Sequence, residues 1–427
     1  MNKRAADGQA VGWRTGGTVR ARRAGRGVRV RAPAPHVREA CGKHPGAARR
    51  HRYGEHVADA LEDFYAIIPA GGIGSRLWPL SRADAPKFLH DLTGSGTSLL
   101  RQTWDRLAPL AGDQRIMVVT GRAHRVAVES QLPGVEDHNV VLESEPKDST
   151  AAIGLAAAIL VRREPDVVIG SFAADHVIGD ARGFRRSVRE AVAAARAGYV
   201  TTIGITPTEP AIGFGYIHAH GDTLGIEGAP TAHAVRSFVE KPDLDTARSY
   251  VEQGTYLWNA GMFIARADVL LAEIGRTKPE LLAGIEELAD AWDTSARGAV
   301  VDAVWPGLEK IAIDYTVAEP AAAAGRMAVV PGDFDWDDVG DFASLAKLQS
   351  GGRPNNLAVL GDGARILADS SSGIVVSHSQ RLISLIGVED IVVVDTPDAL
   401  LVTTSANAQR VKGVVDALKI SGRGDVL

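Results

Sequence analysis

The chain has one cysteine in 427 residues, Cys41. That excludes internal disulfides and leaves everything after residue 41 without thiol chemistry. Long apolar runs are missing too. The longest, Ala151 to Val161, is interrupted by Gly154 and is too short to span a bilayer. Basic excess is confined to one end. The net charge is −5, residues 1–52 carry +12, and the remainder therefore carries −17. An acidic body argues against a nucleic-acid surface and fits a cytoplasmic enzyme.

Residues 1–52 lack apolar periodicity. Rich in Arg, Gly, Ala and Pro, they are expected to be disordered. They also lack the apolar segment of a secretory signal. A basic arm for nucleic acid is one reading. The preferred one makes residues 1–56 an extension outside the working protein, with true initiation near Val57. An intact mass of the native protein that includes them contradicts this.

From Phe64 onward the chain can bury one large core or two. Strand-like runs at Tyr65–Pro69, Ile116–Thr120, Val140–Leu142, Val167–Phe172 and Val200–Ile205 alternate with helix-like runs. The latter are Ser98–Leu110, Gly121–Gln131, Ser149–Arg163 and Gly183–Ala197. That order predicts a mostly parallel sheet covered by helices. Beyond residue 206, short β segments (Gly215–Ala219, Val235–Glu240, Met262–Ala265) mix with helices near Asp243–Gln253 and Leu270–Ala291, read as an inserted lobe. Asp333–Leu348 is an acidic loop and a helix. This gives a catalytic domain over 57–350. After a linker at 351–355 comes a small β-rich domain, 351–427, with a closing helix near Asn407–Leu418. It lacks hexapeptide repeats, which argues against a long β-helix.

The most informative string runs from Ala66 to Ser81, AIIPAGGIGSRLWPLS, followed by Pro86 and Lys87. A β-branched run feeds glycines at 71, 72 and 74, then Arg76. Glycine lets backbone N–H groups approach phosphate oxygens, while Arg76 and Lys87 supply cations. The dinucleotide fingerprint is missing: Leu77 stands where its third glycine belongs, and Pro79 interrupts its helix. The string G-x-x-x-x-G-K-[ST] is also absent. A glycine turn with solvated cations is the plain alternative.

Asp175 ends an apolar strand in Ala174-Asp175-His176, where a carboxylate suits Mg²⁺ or a turn. Glu240-Lys241-Pro242 offers a carboxylate for sugar hydroxyls and an ammonium for a phosphate, or a surface ion pair. Asn259 adds an amide that both donates and accepts. The loop Gly213-Phe214-Gly215 brings backbone close to such a ligand.

The pattern G-G-x-G-x-R-L-x-P-L-(S/T) with P-K ten residues later resembles the sugar-1-phosphate nucleotidylyltransferases. The segments around Gly215, Glu240-Lys241 and Asn259 follow in that family's order. Ile313-Asp314-Tyr315 resembles its mannose-1-phosphate guanylyltransferase branch, as does the tail from Gly387 to Leu400. The resemblance covers roughly residues 64–420. It implies a Rossmann-like α/β fold with helices on both faces. It also implies transfer of GMP from GTP to mannose 1-phosphate, with Mg²⁺ as cofactor. Ala70, Gly71, Gly72, Gly74 and Ser75 would bind the nucleotide, and Arg76 and Lys87 would be catalytic. Asp175 and Asp338 (in Trp336-Asp337-Asp338-Val339-Gly340) would hold the metal. Adjacent residues point apart, so only one of Asp337 and Asp338 should reach it. Gly215, Glu240, Lys241, Asn259 and Asp314 would bind the sugar phosphate, although Asp314 has helix capping as an alternative.

The base-facing loop departs from the branch. Glu145, Pro146, Thr150 and Ala151 match its E-P-x-x-R-N-T-A, but Asp148-Ser149 stands near its R-N. Rival readings are a transferase using dTTP or UTP with glucose 1-phosphate, and a non-catalytic homologue. Arg76, Lys87, Asp175 and Asp338 are all present, which counts against the latter. No cupin-type isomerase segment follows, so isomerase activity is not expected. No membrane or nucleic-acid partner is expected, and a homodimer stays open.

Overall fold

In this computed structural model, residues 60–427 are described, except 133, 354–355 and 362–364. The expected basic extension 1–56, with Cys41 and Val57, lies outside them.

The first half alternates strand and helix as its patterning requires. The elements are β1 (Phe64–Ala70), α1 (Leu99–Ala111), β2 (Ile116–Gly121), α2 (Arg125–Gln131), β3 (Val140–Glu143), α3 (Asp148–Arg163), β4 (Val168–Ser171), β5 (Val177–Ile178), α4 (Ala181–Arg196) and β6 (Val200–Ile205). Then come β7 (Tyr216–Thr223), β8 (His233–Val239), α5 (Leu244–Gln253), β9 (Tyr256–Arg266), α6 (Ala267–Thr277), α7 (Pro279–Trp292), α8 (Arg297–Val304), α9 (Glu319–Ala323), β10 (Met327–Gly332), β11 (Trp336–Asp337) and α10 (Phe342–Ser350). The run expected as one helix, Leu270–Ala291, is two: Pro279 opens α7, since a proline suits a first turn and not a helix interior.

Nine strands form one sheet in the order β3-β2-β1-β4-β9-β6-β10-β8-β7. The expectation of a mostly parallel sheet holds for one end only. β3, β2, β1 and β4 run parallel, but β9 is antiparallel to both β4 and β6. β7 also pairs with β9, closing β9, β6, β10, β8 and β7 into a five-stranded ring. The sheet is therefore mixed. β1 is covered on both faces. Ile67 packs with α3, α6 and α7, while Ala66 and Ile68 face α1 and α4. Alternation along one strand thus serves two cores. The parallel strands end at one edge, where a ligand finds loops rather than side-chain layers.

The C-terminal strands are β12 (Leu357–Leu360), β13 (Arg365–Asp369), β14 (Gly373–Ser377), β15 (Leu382–Ile386), β16 (Ile391–Asp395) and β17 (Leu400–Thr404), followed by α11 (Val411–Ile420). β12, β14 and β16 stack in parallel, as do β13 and β15. This is a β-helix in miniature. It is short, and coils of unequal length leave no hexapeptide period. Its core is shared with the glycine-loop region: Leu77, Trp78, Val339 and Phe342 pack with Val376, Val394, Val411 and Val426. No helix among the described residues is long and apolar enough to cross a membrane.

Candidate active site

The glycine loop follows β1 directly. Gly74 sits at φ 75°, and a Cβ there would come within 2.6 Å of the Lys87 Cβ. Only glycine fits both demands. Gly71 and Gly72 are exposed, and Ser75 is half-buried at the start of a short 3₁₀ turn, Ser75–Leu77. Ala70 is buried, and its carbonyl accepts from the Thr120 hydroxyl at 2.7 Å. Arg76 is exposed and makes no ion pair with the described residues.

Lys87 is buried at 5% exposure. Its Nζ donates to Asp175 Oδ2 at 2.8 Å and to the backbone carbonyl of Asp338. One ammonium thus ties the glycine loop to both predicted metal aspartates. Asp175 follows β4, and Asp338 follows β11. β11 pairs antiparallel with β5, matching Asp337 to Val177, which brings the two ends together. Burial pushes the Asp175 carboxyl up, but Lys87 and His176 beside it win and hold it below its ordinary value. Burial raises Asp338 to about 6. Asp337 and Asp175 add to the rise, while Lys87 and Arg76 oppose it. Asp337 Oδ1 accepts the Val339 N–H at 2.7 Å. That bond pins Val339 at φ 43°, an unusual backbone for a β-branched residue. Of the two neighbours, Asp338 is the one that lines the adjoining cavity.

That cavity, of about 180 Å³, also takes in His176, Gly215, Glu240, Asn259 and Asp314. A Cβ on Gly215 would meet Glu240 Oε2 at 2.6 Å, so the glycine makes room for the carboxylate. Glu240 pairs with Lys241, which itself adopts φ 49°. Asn259 is fixed on three sides: it accepts from Thr202 at 2.8 Å and from the Gly261 N–H, and donates to Asp314 Oδ1 at 3.1 Å. Asp314 makes no capping bond. Burial raises its carboxyl to about 7, with the Glu240 charge adding to the rise.

Thr150 is fully buried, and its hydroxyl bonds Thr316 at 2.8 Å, joining α3 to the turn Asp314–Ala318. Glu145 is exposed and paired with Lys147 at 2.8 Å. An acidic group beside the glycine loop that the sequence alone does not single out is Glu143. It ends β3, is buried, and has Oε2 3.4 Å from where a Gly71 Cβ would be. Burial, with help from the Asp148 charge, raises it to about 7.

Among known proteins, the nucleotidyl transferase family model matches residues 65–351. The MannoseP isomerase/GMP-like beta-helix domain matches residues 363–418. The xanthan biosynthesis protein XanB of Xanthomonas campestris pv. campestris is 38% identical over 376 residues, 86% of this chain and 75% of that protein. The mannose-1-phosphate guanylyltransferase of Escherichia coli is 37% identical over 369 residues, 85% of this chain and 75% of that protein. The crystal structure of a mannose-1-phosphate geranyltransferase from Thermus thermophilus matches with a TM-score of 0.72 and 31% identity. It covers 84% of this chain and 99% of that one.

Proposed function

The chain belongs to the nucleotidyl transferase family, and from that premise we propose that it is a mannose-1-phosphate guanylyltransferase. GTP and α-mannose 1-phosphate give GDP-mannose and pyrophosphate. The relatives support the choice of substrates. The observation that carries the chemistry is the Lys87 junction: one buried cation joins a phosphate-binding loop to two aspartates beside a polar cavity.

Nucleotidyl transfer needs charge neutralisation and in-line positioning more than covalent help. The amides of Gly71, Gly72, Gly74 and Ser75 hold the triphosphate, and Arg76 and Lys87 offset charge at the α- and β-phosphates. Glu143 faces the base. A carboxylate there accepts from both N1–H and the 2-amino group of guanine, a pair that uracil and thymine lack. Glu240, Asn259 and Asp314 take sugar hydroxyls, and Lys241 holds the sugar phosphate. An oxygen of that phosphate attacks the α-phosphorus and pyrophosphate leaves. The nucleophile is already an anion, so no general base is required.

Asp175 and Asp338 offer hard oxygen donors at the ends of adjoining strands, and Asp338 opens on the polar cavity. Both features fit a divalent cation, which we take to be Mg²⁺. When bound there, the ion supplies charge neutralisation at the phosphates.

We take 57–350 as the catalytic domain and 351–427 as a second domain. The change from one large sheet to short parallel ladders supports this.

Crossing a panel of nucleoside triphosphates with sugar phosphates, read by pyrophosphate release, tests the assignment. GTP with mannose 1-phosphate should give the highest kcat/KM, and excess chelator should abolish it. A preference for UTP or dTTP with glucose 1-phosphate counts against the reading.

A further inference from the structure

One side-chain donor in the cavity has no task in this scheme. His176 follows Asp175, and its Nδ1 lies 3.3 Å from Trp336 Nε1. The two rings meet edge to face at 5.4 Å and 85°. An indole N–H can only donate. Nδ1 must therefore accept, which leaves the ring's hydrogen on Nε2. Nε2 makes no hydrogen bond with any described residue, and His176 lines the cavity.

Trp336 is itself held firmly. It pairs with Ile178 across the β5–β11 ribbon, and the Phe214 ring packs on it at 5.2 Å. The ribbon that carries Asp338 to the metal position therefore also presents the indole to His176.

The other polar side chains of the cavity are mostly acceptors or already engaged. Glu240, Asp314 and Asp338 bring carboxyl groups, and the Asn259 amide donates to Asp314. A glycosyl phosphate is covered in acceptor oxygens and needs donors. We propose that Trp336 is a positioning residue that holds His176 with its hydrogen on Nε2, and that this N–H donates to an oxygen of the sugar 1-phosphate. The inference rests on the guanylyltransferase reading above.

Three variants test it. W336F keeps an aromatic ring but loses the N–H. H176F removes the donor, and H176Q keeps one near the Nε2 position. KM for mannose 1-phosphate should rise about three- to tenfold in W336F and H176F, the size of one lost hydrogen bond. KM for GTP should stay put, which also reports correct folding, and H176Q should recover most of the loss. Isotope-labelled histidine NMR should show the Nε2-protonated form for His176, assigned by its absence in H176Q, and a mixture of forms in W336F. An Nδ1-protonated ring in the wild type, or an unchanged sugar-phosphate KM in both W336F and H176F, overturns the inference while leaving the enzyme assignment intact. A wild type that makes no GDP-mannose overturns both.

Discussion

Lys87 Nζ lies 2.8 Å from Asp175 Oδ2 while also donating to the Asp338 carbonyl, so one side chain ties the glycine loop to two aspartates. Removing it costs both positioning and charge. K87A should lower kcat by about 10²–10³, as expected for a lost charge-stabilising donor. K87R should not restore full activity, because a planar guanidinium does not reproduce the ammonium's paired bonds to Asp175 Oδ2 and the Asp338 carbonyl. Steady-state kinetics decide; wild-type-like turnover in K87A removes the residue from the account.

Asp338 predicts a pH-dependent stability effect. Its folded-state carboxyl is raised to about 6, so the folded chain holds that proton more tightly than the unfolded one. The stability it contributes is full below the unfolded value of about 4 and is lost as pH rises through about 6. Without metal, D338N should therefore melt a few degrees above wild type at neutral pH, with the gap closing toward pH 4. Saturating Mg²⁺ should stabilise wild type and not D338N. Thermal melts across a pH series check this. A metal-free D338N that melts below wild type at neutral pH speaks against a buried Asp338 carboxyl that is costly to ionise.

Glu143 makes base choice testable. E143Q keeps the size but exchanges one acceptor for a donor. Its kcat/KM with GTP should fall about 10- to 100-fold, as for a buried polar group left mispaired. ITP, which lacks the 2-amino group, should lose less. Equal losses with both nucleotides would falsify the assignment of Glu143 to the guanine edge.

The shared core beneath the glycine loop predicts that distant residues matter. Trp78 Nε1 donates to the Val426 carbonyl at 2.7 Å in a buried setting, and Arg82 holds Asp398 through two bonds of 2.9 and 2.8 Å. W78F should destabilise the fold by about 1–3 kcal/mol, the cost of an orphaned buried acceptor. Denaturant unfolding measures it, and a midpoint equal to wild type would show that the contact does little.

Much of this site can be read in the sequence because its parts are local. The glycine spacing, Arg76, Asp175 at a strand end and Trp336 to Gly340 each carry their signal within a few residues. What stayed hidden depends on pairing between distant strands. Glu143 and Glu145 alternate along one segment, and only the β2–β3 register shows that the first is buried beside Gly71. Nothing local shows that the Thr150 hydroxyl packs against Thr316, 166 positions away. Parallel stacking of β12, β14 and β16 leaves no local periodicity at all. Asp337 and Asp338 are equivalent as letters; the fold shows Asp338 lining the cavity and Asp337 accepting the Val339 N–H.

In the proposed mechanism the sugar phosphate attacks the α-phosphorus of GTP at the Lys87 junction. Mannose 1-phosphate carrying heavy oxygen throughout its phosphate tests it directly, with both products weighed by mass spectrometry. All of the label should stay in GDP-mannose, and none should enter pyrophosphate. Label in pyrophosphate, or unlabelled GDP-mannose, contradicts it.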